Sequence, residues 1–169
     1  LIMYIDQSGA SEGALNLKNM LDGIVPRIEA AFAEYSVELP NRRYWTMGQP
    51  AIDCDQLVVY FIEAFLGTPG EEIGQPQRCY VPRSATIGIS IAREVPTVGV
   101  NGRAPSPEKI QEYSGKSAID AWVLLESARK FDMWDESGGY GPGVVVSLEV
   151  SPPEGGFQLV NMTLTMVIP

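Results

Sequence analysis

Ser84-Ala-Thr-Ile-Gly-Ile-Ser-Ile-Ala-Arg-Glu-Val95 is the stretch that decides the fold. Ile87, Ile89 and Ile91 point one way, and Gly88, Ser90 and Ala92 point the other. This is the alternation of a β-strand, with one face built for an apolar core. Four further segments read as strands around it. Arg42 to Met47 is extended, and Gln56 to Leu66 is apolar and rich in β-branched and aromatic residues. The chain closes with a hairpin of Val144 to Val150 and Phe157 to Ile168, joined by Ser151-Pro-Pro-Glu-Gly-Gly156. In its last strand Val160, Met162, Leu164, Met166 and Ile168 share one fully apolar face.

Two helices complete the inventory. From about Asn16 to Tyr35, residues Leu17, Met20, Leu21, Ile24, Ile28, Phe32 and Tyr35 recur at three- and four-residue spacing. Pro26 lies inside that pattern, so a kink or restart is expected there, eased by Gly23. The second helix has Ser106 as its cap, Pro107 at its first position and Glu108 beside the positive end. Ile110, Tyr113, Ser117, Ala121, Leu124, Leu125 and Ala128 are expected to line its buried face. Together these elements predict one α+β domain over residues 16–169. It has a mostly antiparallel sheet of about four to five strands packed with two main helices. Residues 1–15 read as a flexible arm, small and polar from Asp6 to Ala14, expected to lie against a neighbouring subunit.

Composition excludes several function classes. The chain has 169 residues and a net charge of −9, and such a surface repels nucleic-acid phosphates. Histidine is absent, which removes the commonest general base and the commonest metal ligand. Cys54 and Cys79 are too few for a disulfide scaffold or a four-cysteine zinc site, and they read as reduced thiols in a cytosolic setting. Leu1-Ile-Met-Tyr-Ile5 is too short for a secretion signal. The apolar run Leu57 to Ile62 stops well short of the ~20 residues a membrane span needs.

Asp53-Cys54-Asp55 is the sharpest candidate for chemistry. On an extended chain, however, Asp53 and Asp55 share one face and Cys54 points to the other. Two flanking carboxylates also raise a thiol pKa, opposite to what a catalytic cysteine needs. Tyr113-Ser-Gly-Lys-Ser117 resembles the end of a phosphate loop, but position 110 is Ile where that motif needs glycine. Gly138-Gly-Tyr-Gly-Pro-Gly143 precedes a strand, whereas a phosphate cradle opens a helix. No catalytic, metal or cofactor residue is therefore assigned. Candidate subunit or partner contacts are Arg42, Arg43 and Trp45 of the basic-aromatic cluster, and Trp134 between two aspartates. Gly70, Glu71, Glu72, Asn101 and Arg103 join them from the Gly/Pro loops Thr68–Gln77 and Thr97–Pro105.

Several segments together carry a family resemblance. They are Met20-Leu-Asp-Gly-Ile-Val25, Ala33-Glu-Tyr-Ser36, the run from Arg42-Arg-Tyr-Trp45 through Ile52-Asp-Cys-Asp-Gln56 to Val59, Pro76-Gln-Arg-Cys79, Ile91-Ala-Arg-Glu-Val-Pro96, Pro152-Pro-Glu-Gly-Gly-Phe-Gln158 and Leu164-Thr-Met-Val-Ile-Pro169. Over roughly Met20 to Pro169 the chain resembles the tail terminator proteins of long-tailed phages of mycobacteria and other actinobacteria. The resemblance implies a small α/β sandwich and a structural virion protein at the tail–neck junction. It implies a homohexameric ring that caps the tail tube, stops its polymerisation and presents a surface to the head–neck connector or stopper. Genomic DNA would pass through an acidic lumen without specific binding, and no cofactor, catalytic residue or membrane is implied. Two alternatives stand beside it. One is another neck component, a head-closure or connector-adaptor protein. The other is a small cytosolic enzyme using Cys54.

Overall fold

A computed structural model describes residues 7–70, 83–98, 102–131 and 145–168. Its elements, in chain order, are α1 (Gln7–Glu34), β1 (Arg42–Met47), β2 (Gln56–Leu66), β3 (Arg83–Glu94), α2 (Pro107–Phe131), β4 (Val145–Val150) and β5 (Phe157–Ile168). The five strands form one sheet in the order β1-β2-β3-β5-β4. This is the α+β fold expected, with the apolar strand β3 at its centre.

Three of the four strand pairs are antiparallel, but β1 and β2 run parallel. A parallel pair ordinarily needs a crossover of about a dozen residues or more, commonly a helix. Here the short segment 48–55 makes the return. Gly48 turns the chain at φ 85, a region where a side chain is strained, and its N–H donates to the Phe61 carbonyl. Gln49 and Pro50 then lie beside Tyr60, Ser90 and Asn161, so the crossover runs over one face of the sheet, the back.

Both helices pack on the other face, the front. The core forms there, from Leu57 and Val59 of β2, Ala85, Ile87, Ile89 and Ile91 of β3, and Val160, Met162, Leu164 and Met166 of β5. Met20, Leu21, Ile24, Ile28 and Phe32 of α1 close over it, with Val123, Leu124 and Ala128 of α2. Burial of this order supplies the main driving force for the fold, at roughly 25 cal/mol per Å² of apolar surface.

Three expectations need correction. The helix α1 begins at Gln7, so the small polar residues from there to Ala14 belong to it and not to a flexible arm. It also continues through Pro26 without a restart. Pro26 and Asp22 lie on the exposed side, where water can satisfy the carbonyl that the proline leaves without a donor. In α2, Ile110 and Leu125 are exposed, and Asp120 and Ser127 are buried alongside Ser117. Each of these polar groups is satisfied. Asp120 pairs with Arg93, the Ser117 hydroxyl donates to Gln158 Oε1, and the Ser127 hydroxyl donates to the Leu124 carbonyl.

Candidate functional site

The basic-aromatic cluster of β1 is placed by the strand's two faces. Arg43 and Trp45 point to the front and reach α1. Arg43 Nη1 lies 2.8 Å from Glu29 Oε1, and its Nε donates to the Pro40 carbonyl at 2.6 Å. Trp45 Nε1 donates to Asp22 Oδ1 at 2.8 Å, while its ring packs against the core. Hydrogen bonds from Lys18 first, and from Trp45 second, hold the Asp22 carboxyl below the usual carboxylate range. Both side chains therefore fasten the edge strand to α1.

Arg42 points to the back and meets the Asp-Cys-Asp segment. Its Nη1 donates to Asp53 Oδ1 at 2.6 Å and stands 3.5 Å from Cys54 Sγ, with the guanidinium 5.3 Å from the centre of the Tyr44 ring. Contact with Cys54 and Asp53 raises Arg42 further above its already high value, and the Arg42 bond keeps the Asp53 carboxyl low. This corrects two expectations. Residues 53–55 form a bend, not an extended strand, so Asp53 and Cys54 converge on one cation. The thiol also has a positive neighbour, which neighbouring residues in the sequence do not provide. Asp55 turns elsewhere, its Oδ1 accepting the Glu94 backbone N–H at 2.6 Å.

Cys54 and Asp55 border a cleft of about 610 Å³. The cleft runs between segment 37–41, the end of β3 and the first half of α2. Several of its polar groups are held in structural contacts. Arg93 makes a bidentate pair with Asp120 at 2.8 and 2.9 Å, and its Nη2 donates to the Glu38 carbonyl at 2.7 Å. Asp120 is only 1% exposed. Lys116 lies 3.5 Å from Glu112 and 4.8 Å over the Tyr113 ring. No group of three metal-ligating side chains converges among the described residues. Cys54 thus borders the cleft with the Arg42 cation and the Asp53 carboxylate beside its thiol.

The more informative surface is apolar, and periodicity alone points elsewhere. On α2, Ile119, Trp122 and Leu125 are 49%, 59% and 40% exposed. Their three-residue spacing sets them in one stripe along the outer side of the helix. The signal is present in the sequence, since Trp122 continues the apolar run of α2. Apolar spacing assigns Leu125 to the core because it gives no reason to bury Asp120. At the opposite margin of the sheet, Met47, Ile62 and Leu66 are also exposed.

Of the candidate contact residues, Arg42, Arg43 and Trp45 lie as above. Gly70 is exposed at a turn with φ 80, and Arg103 is exposed beside Gly102. Glu71, Glu72, Asn101 and Trp134 lie outside the described residues, as does Cys79. No family model matches the chain, and no curated protein matches it. No described helix is long and apolar enough to cross a membrane.

Proposed function

We propose that this chain is a structural subunit of a virion, acting by assembly as phage tail terminators do. It joins copies of itself in a ring, a homohexamer, at the tail–neck junction. The ring caps the tail tube, stops its polymerisation and receives the head–neck connector or stopper. The observation that carries this reading is the exposed stripe of Ile119, Trp122 and Leu125 on α2. A tryptophan more than half exposed between two exposed aliphatic residues has the composition of a contact surface, where aromatic residues are enriched. The second apolar margin at Met47, Ile62 and Leu66 lies at the other side of the sheet, above β1 and β2. Two unlike patches on one subunit suit a head-to-tail contact, which closes into a ring when the rotation allows. The net charge of −9 suits a channel through which DNA slides without sticking.

Deleting the gene from its phage and imaging the lysate by electron microscopy tests the reading. Overlong tails without heads are expected. Tails of normal length, or heads that fail to package, would refute termination and favour a different neck role. A second reading, a thiol-dependent enzyme, draws on the 3.5 Å approach of Arg42 to Cys54. Fast, selective labelling of Cys54 by a thiol reagent at neutral pH would support it, and slow labelling would remove it.

A further inference from the structure

The sheet has two outer edges, β1 and β4, and among the described residues no backbone hydrogen bond reaches the outer side of either. Each strand is six residues long. Open edges of this kind are templates for another strand, and proteins usually blunt or cover them. The pairings set their directions. β1 runs with β2, β2 against β3, β3 against β5, and β5 against β4, so β1 and β4 run oppositely. A rotation about an axis along the strands keeps each direction. It therefore brings β4 of one copy antiparallel to β1 of the next.

The faces of the two strands also agree. In register with β2, Arg43, Trp45 and Met47 of β1 lie on the front, and Arg42, Tyr44 and Thr46 on the back. In register with β5, Val146, Leu148 and Val150 of β4 lie on the front, and Ser147 and Glu149 on the back. Directly opposed residues in an antiparallel pair share a face. Odd positions of β1 must then meet even positions of β4. One such register sets Met47 against Val146, Trp45 against Leu148, Thr46 against Ser147 and Tyr44 against Glu149. Glu149 then has Arg42 as its diagonal neighbour on the same face. Beside the helices Met47 and Trp45 meet apolar partners while Val150 falls opposite Arg43, and the carboxylate meets the cation behind them. Met47, 59% exposed, and Val150, 44% exposed, gain cover in the same step.

We propose that neighbouring copies join edge to edge, β4 of one against β1 of the next, so that one antiparallel sheet continues across the subunits. The occupant of each edge is a second copy of this chain, and the inference rests on the ring reading above. The test uses the full chain with Cys54→Ser and Cys79→Ser. Thr46→Cys and Ser147→Cys are added together, and each alone, before mild oxidation at high protein concentration. Directly opposed strand residues approach within disulfide range. The pair Tyr44→Cys with Ser147→Cys reads the register shifted by two. Expected is a ladder of covalent oligomers ending at the ring in one double variant, with the single variants uncrosslinked. Rings by native mass spectrometry with no ladder in either pair would overturn the edge contact and leave the ring standing. Covalent dimers of a single variant would overturn it in favour of two-fold edge pairing. A monomer at every concentration would overturn both readings.

Discussion

The two faces of β3 are both closed to water, but by different means. On the front, Ile87, Ile89 and Ile91 enter a core shared with both helices. On the back, Ser84, Thr86, Ser90 and Ala92 are equally buried, yet they are small and mostly polar. There the Ser90 hydroxyl donates to Asn161 Oδ1 at 2.7 Å, Thr86 and Thr165 share a hydrogen bond at 3.2 Å, and the Tyr60 ring lies over Gly88. The front is held by area and packing, whose loss leaves a cavity. The back is held by paired polar groups and one aromatic lid, each contributing modestly on its own. The difference teaches that burial alone does not measure what a face contributes. The chemistry that fills it does.

The comparison breaks first at the front. Ile89→Ala should lower stability by about 4 kcal/mol, in the range for truncating a fully buried aliphatic side chain. Chemical denaturation would measure it, and a loss under about 1 kcal/mol would mean the core collapses around the gap. Next comes the polar pin on the same face. Asp120→Asn removes the charge that Arg93 needs, at a cost of about 3 kcal/mol. That is the low end for a broken buried pair, because Arg93 is 14% exposed and keeps some contact with water.

On the back, the expected effects are smaller. A Cβ at Gly88 would stand 2.1 Å from Tyr60 Cζ, so Gly88→Ala must displace the ring, costing about 2 kcal/mol. In a Tyr60→Ala background the same substitution should cost almost nothing more, and an unchanged cost would show that the ring is not the obstacle. The smallest effect is one of pH. Burial first, and the Glu149 carboxylate second, raise the Tyr60 pKa. The fold thus favours the neutral phenol. Its contribution is fully present below the unfolded value of about 10 and is lost as pH rises through the higher folded value. Melting temperature should fall more steeply above about pH 10 in the parent than in Tyr60→Phe. Parallel alkaline slopes would show that Tyr60 is not shielded.

Much of the architecture is legible in the sequence. The bounds of β1, β2 and β5 follow from local alternation and turn residues, and Ser106 caps α2 as its position suggests, its hydroxyl accepting the Lys109 N–H at 3.4 Å. The face of α2 is not legible in the same way. An apolar count ranks Ile119, Trp122 and Leu125 above Asp120, and the order reverses only when Arg93 is brought opposite the carboxylate. The candidate site is less legible still. Arg42 and Cys54 lie far enough apart in sequence that only the short parallel return between β1 and β2 sets them 3.5 Å from each other.

The sequence by itself determined the strands, the two helices apart from the start of α1, and the apolar side of β3 and β5, because period and turn chemistry act over a few neighbouring residues. The tertiary structure alone decided the parallel placement of β1, the burial of Asp120 on α2, the meeting of Arg42 with Asp53 and Cys54, and the two apolar margins left exposed. These depend on contacts between segments distant in the chain, where one buried ion pair can outweigh a helix's own apolar pattern.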